Sequence, residues 1–547
     1  MLRRNLACAL LISLAGAAPA AAAQRPDATK LVQQVRHDGR TVTMRLAKLP
    51  LRGPHFELRV QQPDGSYTTT KAPIGERAFL GTVDGRPGAV ASGIVTRDGR
   101  LRGQIVFDRG ATWFTRDAAV TGTRGTDAPV FAWPTRPTVA SGRAGTRMRA
   151  WDIAVDTDSE YVAARSGSTA AVLEEVEYAL SNVRAVYMHD ALLMPRLARV
   201  IVRAAPARDP YTGDTTYLGP LRDEWRANQK DAVRDEVLLA ADGGGNGGVA
   251  YGTDMNPDFA YANSGANDDG TFDVVARHEI GHNFDLSDLH AGSPEGKTII
   301  EGNQYARFGG PELQTIFASR GARRGIYDDL GRFTRIPLAP YAALDLIDNV
   351  KPGAAVSRNV VGNDHDANGQ GVYLASVAAK TSGGGTAEAV GGRVVYRAPD
   401  AASTLDVVRY TVADTCGQTA TGVVFARTGS ATRGSSRRPA VPRTVVLDRG
   451  AGGCAQLGSR EVARVPLGGL VATARSAQLR VRVTGARRGA PVRVWRCGLR
   501  RPGRPSLTVG ARGTARATVK VPLAGSRRVC AATGAGGRLR IELPAGG

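Results

Sequence analysis

Hydrophobic and polar residues alternate with a period of two in the first part of the chain, at 41–46, 56–60 and 101–107. Asp-Gly pairs that begin at 38, 64, 84 and 98 mark turns between such runs. The pattern predicts a β-rich unit over residues 24–148. This unit ends in a stretch rich in Pro, Thr, Gly and Arg at 134–147, which is typical of an exposed segment that proteases cut.

The pattern changes after residue 149, where helical periodicity appears between strand-like runs. Apolar residues recur on one helix face at 169–188, and a shorter helix is predicted at 220–229. Strand-like apolar runs lie at 153–155, 200–202 and 237–241. This alternation of helices and strands predicts an α/β domain over residues 149–337.

The last 210 residues have an all-β texture, with short apolar runs separated by Gly and Asp turns. Two all-β domains are expected, at 338–428 and 443–547, joined by a linker at 429–442. The predicted fold class is therefore multidomain. An α/β domain is preceded by a β-rich segment and followed by two all-β domains.

The formal charge of +22 is concentrated at the C-terminal end of the 547-residue chain. Residues 429–547 contain 24 Lys and Arg but three acidic residues, Asp448, Glu461 and Glu542. This region lacks rows of aromatic residues and any recognisable nucleic-acid-binding motif, so specific binding of nucleic acid is not expected. Two interpretations stay open: the C-terminal module holds an anionic cell-wall polymer, or it acts as a spacer.

Residues 1–23 have the pattern of a secretory signal peptide. Arg3 and Arg4 precede an apolar run at 6–14, and an Ala-rich stretch follows before Gln24. No later stretch reaches the roughly 18 apolar residues of a membrane-spanning helix. We therefore expect a secreted, extracellular protein.

Four cysteines remain after residue 23, and an oxidising compartment favours disulfide bonds between them. We predict that Cys497 pairs with Cys530, because this bond encloses one compact run of strands. We also predict that Cys416 pairs with Cys454, which ties the two all-β domains across the linker.

The chemically informative segment is His278-Glu279-Ile280-Gly281-His282. Residues four apart project from one face of a helix, so His278 and His282 can bind a single metal ion. Glu279, beside the first histidine, can accept a proton from a metal-bound water and pass it to a leaving amine.

This segment resembles the metzincin zinc endopeptidases, particularly the reprolysin-like branch and its bacterial relatives. The resemblance implies an α/β metzincin-type catalytic domain with one catalytic Zn²⁺ and protein or peptide substrates. In that family the zinc helix ends at a Gly seven residues after the first His, where this chain has Asp285. Asp adopts the left-handed backbone conformation more readily than most residues, so the turn that ends the helix stays possible at Asp285. Ile300 stands where the family has a Met beneath the zinc.

The third zinc ligand has three candidates. Asp288 lies ten residues after His278, at the family's spacing, and is the preferred candidate. His290 is the better donor by type but needs a longer turn. Glu301 follows His282 by 19 residues, as in the gluzincin type of zinc peptidase. That arrangement places the Glu on a second helix, whereas the neighbours of Glu301 disfavour a helix.

The resemblance extends to both sides of the zinc motif. Residues 235–240, the Gly-rich stretch 243–248 and residues 249–252 are similar to the strand, loop and edge strand above the family's cleft. Residues 76–85 and 99–106 resemble a reprolysin-type propeptide, which implies a zymogen. Residues 24–148 contain no Cys, so latency is expected to rest on steric or carboxylate blocking, with cleavage within 134–149.

Residues 361–366 and 410–414 resemble the cadherin-like or Ig-like modules of bacteria. Asp364, Asp366 and Asn368 imitate the start of a calcium loop, but Ala375 stands where an EF-hand has Glu. A solvated turn is therefore preferred to a Ca²⁺ site. The last unit resembles β-rich modules of secreted actinobacterial enzymes.

The sequence thus predicts a secreted zinc-dependent endopeptidase with accessory β domains. The alternative is a catalytically silent protein that keeps the metalloprotease fold and binds a surface. The intact Glu279 and histidine pair favour the enzyme.

Overall fold

The computed structural model describes most of the chain. The described residues are 29–108, 111–124, 144–211, 217–242, 247–252, 255–265, 272–286, 307–401, 405–429, 442–451, 453–459, 461–471, 473–524, 526–534 and 536–545. The predicted signal peptide and nearly all of the predicted linker lie outside them. Among the described helices, none is both long and apolar enough to cross a membrane.

The N-terminal part folds into strands, most of which close into a barrel. The strands are β1 Lys30–His37, β2 Arg40–Lys48, β3 Arg52–Gln61, β4 Tyr67–Thr70, β5 Ala78–Val83, β6 Val90–Val95, β7 Leu101–Val106, β8 Thr112–Arg116 and β9 Ala119–Arg124. Seven of these described strands form the barrel in the order β1-β2-β5-β6-β7-β8-β9. The alternating sequence at 41–46 has a direct basis, because Val42, Met44 and Leu46 all point into the barrel core.

The central α/β unit follows. Its helices are α1 Ser159–Ala164, α2 Thr169–Ala191, α3 Leu218–Asn228, α4 Phe272–Asn283 and α5 Gly310–Ala322. Its strands are β10 Met148–Thr157, β11 Leu193–Val202, β12 Glu236–Ala241, β13 Gly248–Ala250, β14 Tyr261–Gly265 and β15 Asp328–Gly331. The helices predicted at 169–188 and 220–229 correspond to α2 and α3, and the three predicted strands lie within β10, β11 and β12.

One sheet joins strands from the N-terminal part and the α/β unit. Its order is β13-β14-β12-β10-β11-β3-β4, and β15 also pairs with β10. Strands β11, β10, β12 and β14 are parallel, whereas β13 is an antiparallel strand at the edge. At the other side β3 pairs in parallel with β11, where Arg199 lies opposite Glu57. Strands on both sides of the predicted boundary at 148 therefore share hydrogen bonds.

Helix α2 is buried on every side over most of its length. All residues from Val176 to Ala191 are buried. Strand β11 covers one side of the helix, and barrel strands β5, β6 and β7 cover another. The barrel also binds polar groups of the helix, since Ser92 Oγ donates to Asn182 Oδ1 and Gln104 Nε2 donates to the Asn182 carbonyl. The barrel is thus part of the environment that keeps α2 out of water.

The last third of the described chain is all-β. Residues 338–428 contain β16 Asp345–Val350, β17 Ala355–Arg358, β18 Val372–Val377, β19 Thr386–Val390, β20 Arg393–Arg397, β21 Asp406–Asp414 and β22 Thr419–Thr428. They form two sheets, β16-β22-β21-β18 and β17-β20-β19.

A second pair of sheets forms the C-terminal module. Its strands are β23 Thr444–Arg449, β24 Ala463–Pro466, β25 Ser476–Thr484, β26 Pro491–Arg496, β27 Leu507–Thr508, β28 Ala515–Pro522, β29 Arg528–Thr533 and β30 Arg538–Leu543. The sheet orders are β23-β30-β25-β28 and β24-β29-β26-β27.

Both predicted disulfides are confirmed. Cys416 bonds to Cys454 with 5.3 Å between Cα atoms, and Cys497 bonds to Cys530 with 5.0 Å. The first bond joins the two all-β parts, and the second lies within the C-terminal module.

The interpretation of residues 364–368 as a solvated turn is wrong. Asp366 and Asn368 are buried, and Asp366 Oδ1 accepts hydrogen bonds from the backbone N–H groups of Asn368 and Gln370. The Asn368 side chain binds the Leu338 N–H and donates to two carbonyls in the segment that leaves the α/β unit. These polar side chains satisfy buried backbone groups. A run of Asp and Asn looks the same in a sequence whether it binds backbone or water.

Candidate metal centre

Helix α4 carries the His-Glu-x-x-His segment and is held by hydrogen bonds at its start and at its middle. At its start, Ser264 Oγ donates to the Phe272 carbonyl and Asn182 Nδ2 donates to Asp273 Oδ2. At its middle, Tyr187 Oη donates to the Arg277 carbonyl. Because α2 supplies both Asn182 and Tyr187, the buried helix sets the position of the helix that carries the candidate chemistry.

The three chemically interesting side chains of α4 converge as the sequence predicted. His278 Nε2 and His282 Nε2 lie 3.1 Å apart. The ligating atoms of His278, Glu279 and His282 all lie within 4.8 Å of one another. His278 and Glu279 are buried, with 8% and 4% of their surfaces exposed. The i, i+4 spacing therefore places two imidazole nitrogens and a carboxylate around one point.

The orientation of the second histidine is set by the end of the helix. The chain leaves α4 at Asp285, whose φ of 67° is in the left-handed region, so the turn predicted there is confirmed. This turn brings the Leu286 carbonyl to 2.8 Å from His282 Nδ1. A carbonyl only accepts, so Nδ1 carries the proton and the lone pair is at Nε2, which faces His278.

The edge strand lies directly against the glutamate. A Cβ atom at Gly248 would lie 2.6 Å from Glu279 Cγ and 2.7 Å from Glu279 Oε1. Only glycine leaves room for the Glu279 side chain at this point in β13. The predicted strand at 249–252 thus has its structural counterpart at Gly248–Ala250, in contact with the candidate catalytic residue.

Sequence reasoning missed a buried carboxylate behind the site. Glu236, at the start of β12, accepts hydrogen bonds from Asn283 Nδ2 at 2.7 Å and from Trp151 Nε1 at 2.9 Å. Burial raises the pKa of Glu236 to about 8. Asn283 immediately follows His282, so Glu236 holds the end of the helix. An acidic residue at the start of an apolar strand was the available signal.

Several predicted positions lie outside the described residues. They include the candidate third ligands Asp288, His290 and Glu301, and also Ile300. Their assignments stay predictions of the sequence.

Comparison with protein families agrees with this geometry. The family described as Metallo-peptidase family M12B Reprolysin-like matches residues 147–305, which contain β10 to α4 and the His-Glu-x-x-His segment. This region is a reprolysin-like metallopeptidase domain. A bacterial Ig domain matches residues 337–426, so the Ig-like module expected after the reprolysin-like domain is also confirmed.

Solved structures give weaker comparisons for the chain as a whole. One, described as a chaperone–substrate complex, is 14% identical with a TM-score of 0.26, and the match covers 48% of this chain and 40% of that one. Metalloproteinase-II from Bacteroides fragilis is 11% identical with a TM-score of 0.25, covering 53% of this chain and 87% of that one. Secreted serine protease VesC from Vibrio cholerae is 9% identical with a TM-score of 0.12, covering 37% and 48%. No curated protein matches the chain significantly.

The reprolysin-like domain implies a divalent metal, and the side chains of α4 fit one. Two nitrogens bound to one tetrahedral ion at 2.0–2.1 Å are about 3.3 Å apart. The observed separation of 3.1 Å between the two Nε2 atoms is close to this value. The hydrogen bond from His282 Nδ1 to the Leu286 carbonyl also leaves the lone pair on Nε2, the atom that would ligate the ion.

Proposed function

We propose that this protein is a secreted zinc-dependent endopeptidase that cleaves peptide bonds of extracellular proteins. The observation that carries the proposal is the convergence of His278 Nε2 and His282 Nε2 beside the buried carboxylate of Glu279. The match of residues 147–305 to a metallopeptidase family supports peptidase chemistry. The composition of residues 1–23 supports export.

His278 and His282 would hold the zinc ion, with Asp288 as the proposed third ligand. Bound zinc supplies a lowered pKa of about 7 for a coordinated water and polarises the scissile carbonyl. Glu279 accepts the proton of the attacking water and transfers it to the nitrogen of the leaving amine. Its burial beside the histidines keeps this carboxylate within reach of both events.

An extended peptide is the substrate class that the edge strand favours. Strand β13 lies at the edge of its sheet, where backbone groups can pair with an added strand. Because Gly248 in β13 touches Glu279, a peptide paired with this edge passes close to the proton-transferring carboxylate. This arrangement supports cleavage within a polypeptide.

The catalytically silent alternative predicts the same fold with no hydrolysis. This alternative arises because Asp285 and Ile300 depart from the pattern of the metzincin family. Asp285 nevertheless adopts the left-handed conformation that the turn requires, and it brings Leu286 to His282. This observation favours the enzyme. Casein or peptide hydrolysis that is lost with a chelator and restored by zinc separates the two hypotheses.

The decisive variant is Glu279→Gln. We expect peptide hydrolysis to fall by a factor on the order of 10² to 10⁴ while bound zinc is retained, because Glu279 transfers protons and does not ligate. Glu160→Gln, an exposed glutamate in the same domain, is the matched control and should retain activity. Near wild-type turnover of Glu279→Gln contradicts the mechanism.

Measurement of bound zinc in two further variants tests the assignment of the third ligand. Asp288→Ala should lower zinc affinity strongly, whereas His290→Ala should have a mild effect. Retained zinc in the first variant and lost zinc in the second would overturn the assignment.

We further propose that residues 24–148 are a propeptide that is cut within 134–149 and stays bound afterwards. Ten-residue strand β3 is hydrogen-bonded into the peptidase sheet. Arg199 forms an ion pair with Glu57 of β3, and Arg52 of β3 binds Glu177 of α2 at 2.7 Å. Loss of the segment would expose both the edge of β11 and the buried surface of α2, so dissociation is strongly unfavourable.

A specific protease site inserted at 134–143 tests this retention. After cleavage, the two fragments should co-elute in size-exclusion chromatography at both 0.15 M and 1 M salt, because the interface is largely buried. They should separate in denaturant. Separation under native conditions contradicts retention but leaves the result for Glu279→Gln untouched.

A further inference from the structure

The C-terminal module presents one sheet face that is covered with arginine. In β25 the side chains alternate strictly, with Leu479, Val481 and Val483 in the core and Arg480 and Arg482 exposed. The neighbouring strands add arginines to the same outer face. We call Arg480, Arg482, Arg516, Arg538 and Arg540 the arginine face.

The strand register places like charges directly opposite one another. Arg482 in β25 pairs with Arg516 in β28 on one side and with Arg540 in β30 on the other. Adjacent strands are about 4.8 Å apart, so three guanidinium groups form a row across the sheet. Arg480 lies two residues from Arg482 on the same face, and its partner in β30 is the carboxylate Glu542.

Two carboxylates neutralise one side of the arginine face. Asp448 binds Arg538 through two hydrogen bonds of 2.7 Å, and Glu542 forms an ion pair with Arg443. Arg540 lies 3.6 Å from Asp448 and 3.7 Å from Glu542. Arg482 and Arg516 form no ion pair with any side chain in the described part of the chain. The centre of the row therefore carries unneutralised positive charge.

At Arg482 and Arg516 this arrangement costs folding stability, because neither side chain forms an ion pair within the described part of the chain. Like charges directly opposite on neighbouring strands are destabilising. The arginines also line a groove of about 710 Å³, in which the one acidic residue among the described lining side chains is Glu542. A concave, arginine-rich surface in which Arg482 and Arg516 form no ion pair within the described part of the chain is suited to an anionic ligand that carries more than one charge.

We propose that the arginine face binds a linear polymer with phosphate groups along its backbone. Guanidinium groups bind phosphate through paired N–H···O bonds. The two free oxygens of a backbone phosphate diverge, so each can accept from a different arginine of the row. Repeated phosphates can engage Arg480, Arg482 and Arg516 together, which a single small anion cannot do.

The chemistry of the groove argues against nucleic acid and lipid. No aromatic side chain is present among the described residues that line it, so nucleotide bases would find no stacking surface. Its apolar lining residues are Val481 and Ala517, too little for insertion into a membrane. The polymer is therefore recognised through its backbone charge.

The test is binding of fluorescently labelled inorganic polyphosphate to the purified full chain, followed by anisotropy between 50 and 200 mM salt. Affinity should fall steeply with salt as counterions are released. The double change Arg482→Gln and Arg516→Gln should weaken binding at least about tenfold and reduce the salt slope by about one to two. Thermal unfolding of each variant checks that the module is folded.

The matched control is the double change Arg464→Gln and Arg528→Gln. These arginines are exposed on strands of the other sheet of the module, and the change in net charge is the same. The control should bind polyphosphate nearly as the parent does. Equal losses in both doubles would mean that net charge alone is responsible and would overturn the site.

Competing ligands test the choice of polymer. Single-stranded DNA and polyglutamate of similar length should bind more weakly than polyphosphate, and inorganic phosphate should compete poorly. Tighter binding of DNA or polyglutamate would overturn the assignment to a base-free phosphate polymer. Equal competition by inorganic phosphate would show a single-anion site and would likewise overturn it.

Discussion

Several arginines in the peptidase unit are buried against carboxylates, whereas arginines on one face of the C-terminal module lie in solvent beside one another. Arg203, the residue directly after β11, is 1% exposed and contacts both oxygens of Asp156, with Nη2 at 2.7 Å from Oδ2. Arg482, on β25, is exposed and has arginines on both neighbouring strands. The same residue type thus occupies two opposite electrostatic environments.

The buried arginines join segments that are distant in the sequence. Arg203 also donates to Tyr67 Oη in β4 and to Tyr211 Oη. Arg307 binds Asp190 at the end of α2 and also donates to the Gly88 carbonyl in the barrel region. A buried guanidinium must have its five N–H groups satisfied, so each such arginine fixes several chain segments at once.

The two environments place different requirements on an arginine side chain. A desolvated arginine is tolerated when carboxylates and hydroxyl groups replace water, and its removal then leaves a partner charge buried. An exposed arginine needs no such partner, and its contribution to folding is small. Conspicuous unpaired arginines are therefore better explained by a ligand than by the fold.

The largest effect should come from breaking a buried pair. Arg203→Met leaves Asp156 buried without its cation, so we expect the free energy of unfolding to fall by about 3 to 5 kcal/mol. Urea denaturation of the full chain, followed by tryptophan fluorescence, measures the change. Arg45→Met, which breaks the exposed pair with Asp84, is the control and should cost much less, because solvent screens this pair. Equal costs for the two variants would remove the distinction between the environments.

A second prediction concerns a carboxyl group that is buried behind helix α4. Burial raises the pKa of Glu236 to about 8, so the folded state keeps a proton that the unfolded chain releases near pH 4.5. The stability that this proton provides is present below about pH 4.5 and is lost as the pH rises towards 8. The loss between pH 5 and pH 8 should be roughly 2 to 4 kcal/mol.

Glu236→Gln should remove this part of the pH dependence. The Asn283 Oδ1 atom is buried and has no hydrogen-bond partner among the described residues. Rotation of the Asn283 amide lets the protonated acid, or the amide of Gln, donate to that oxygen. The urea midpoint measured at pH 5 and pH 8 tests the prediction, with Glu160→Gln as control. An unchanged pH dependence in Glu236→Gln would show that another group is responsible.

The sequence could predict the local elements and the local chemistry. The spacing of His278 and His282 determines that both face one point on α4, and the apolar period predicted α2 over residues 169–188. The sequence could not predict that α2 is buried on all sides, because the barrel that covers its polar face comes from residues far earlier in the chain. Glu236 was missed for the same reason, since its partners Trp151 and Asn283 are brought to it by the fold.

The arginine face also depends on long-range register. Arg482 and Arg516 are 34 residues apart, and Arg482 and Arg540 are 58 apart, yet all three are opposite one another in the sheet. Composition revealed the excess of arginine, but it was consistent with a general bias of the sequence. Pairing of the strands converts that excess into a row, which no local pattern indicates.

The smallest effect on stability should come from Arg482→Gln. This change removes a guanidinium that lies between two others, so the free energy of unfolding of the module should stay the same or rise by up to about 0.5 kcal/mol at low salt. The gain should vanish at 0.5 M salt, because salt screens repulsion between exposed charges. Thermal unfolding at 20 mM and 500 mM NaCl measures the change in stability at low salt and its loss at high salt. If Arg482→Gln instead costs more than about 1 kcal/mol, Arg482 stabilises the fold as Arg203 does, and the contrast between the two regions does not hold. We expect Arg482→Gln to leave stability unchanged or raise it and to weaken binding of polyphosphate. This combination would show that Arg482 contributes to ligand binding and does not stabilise the fold.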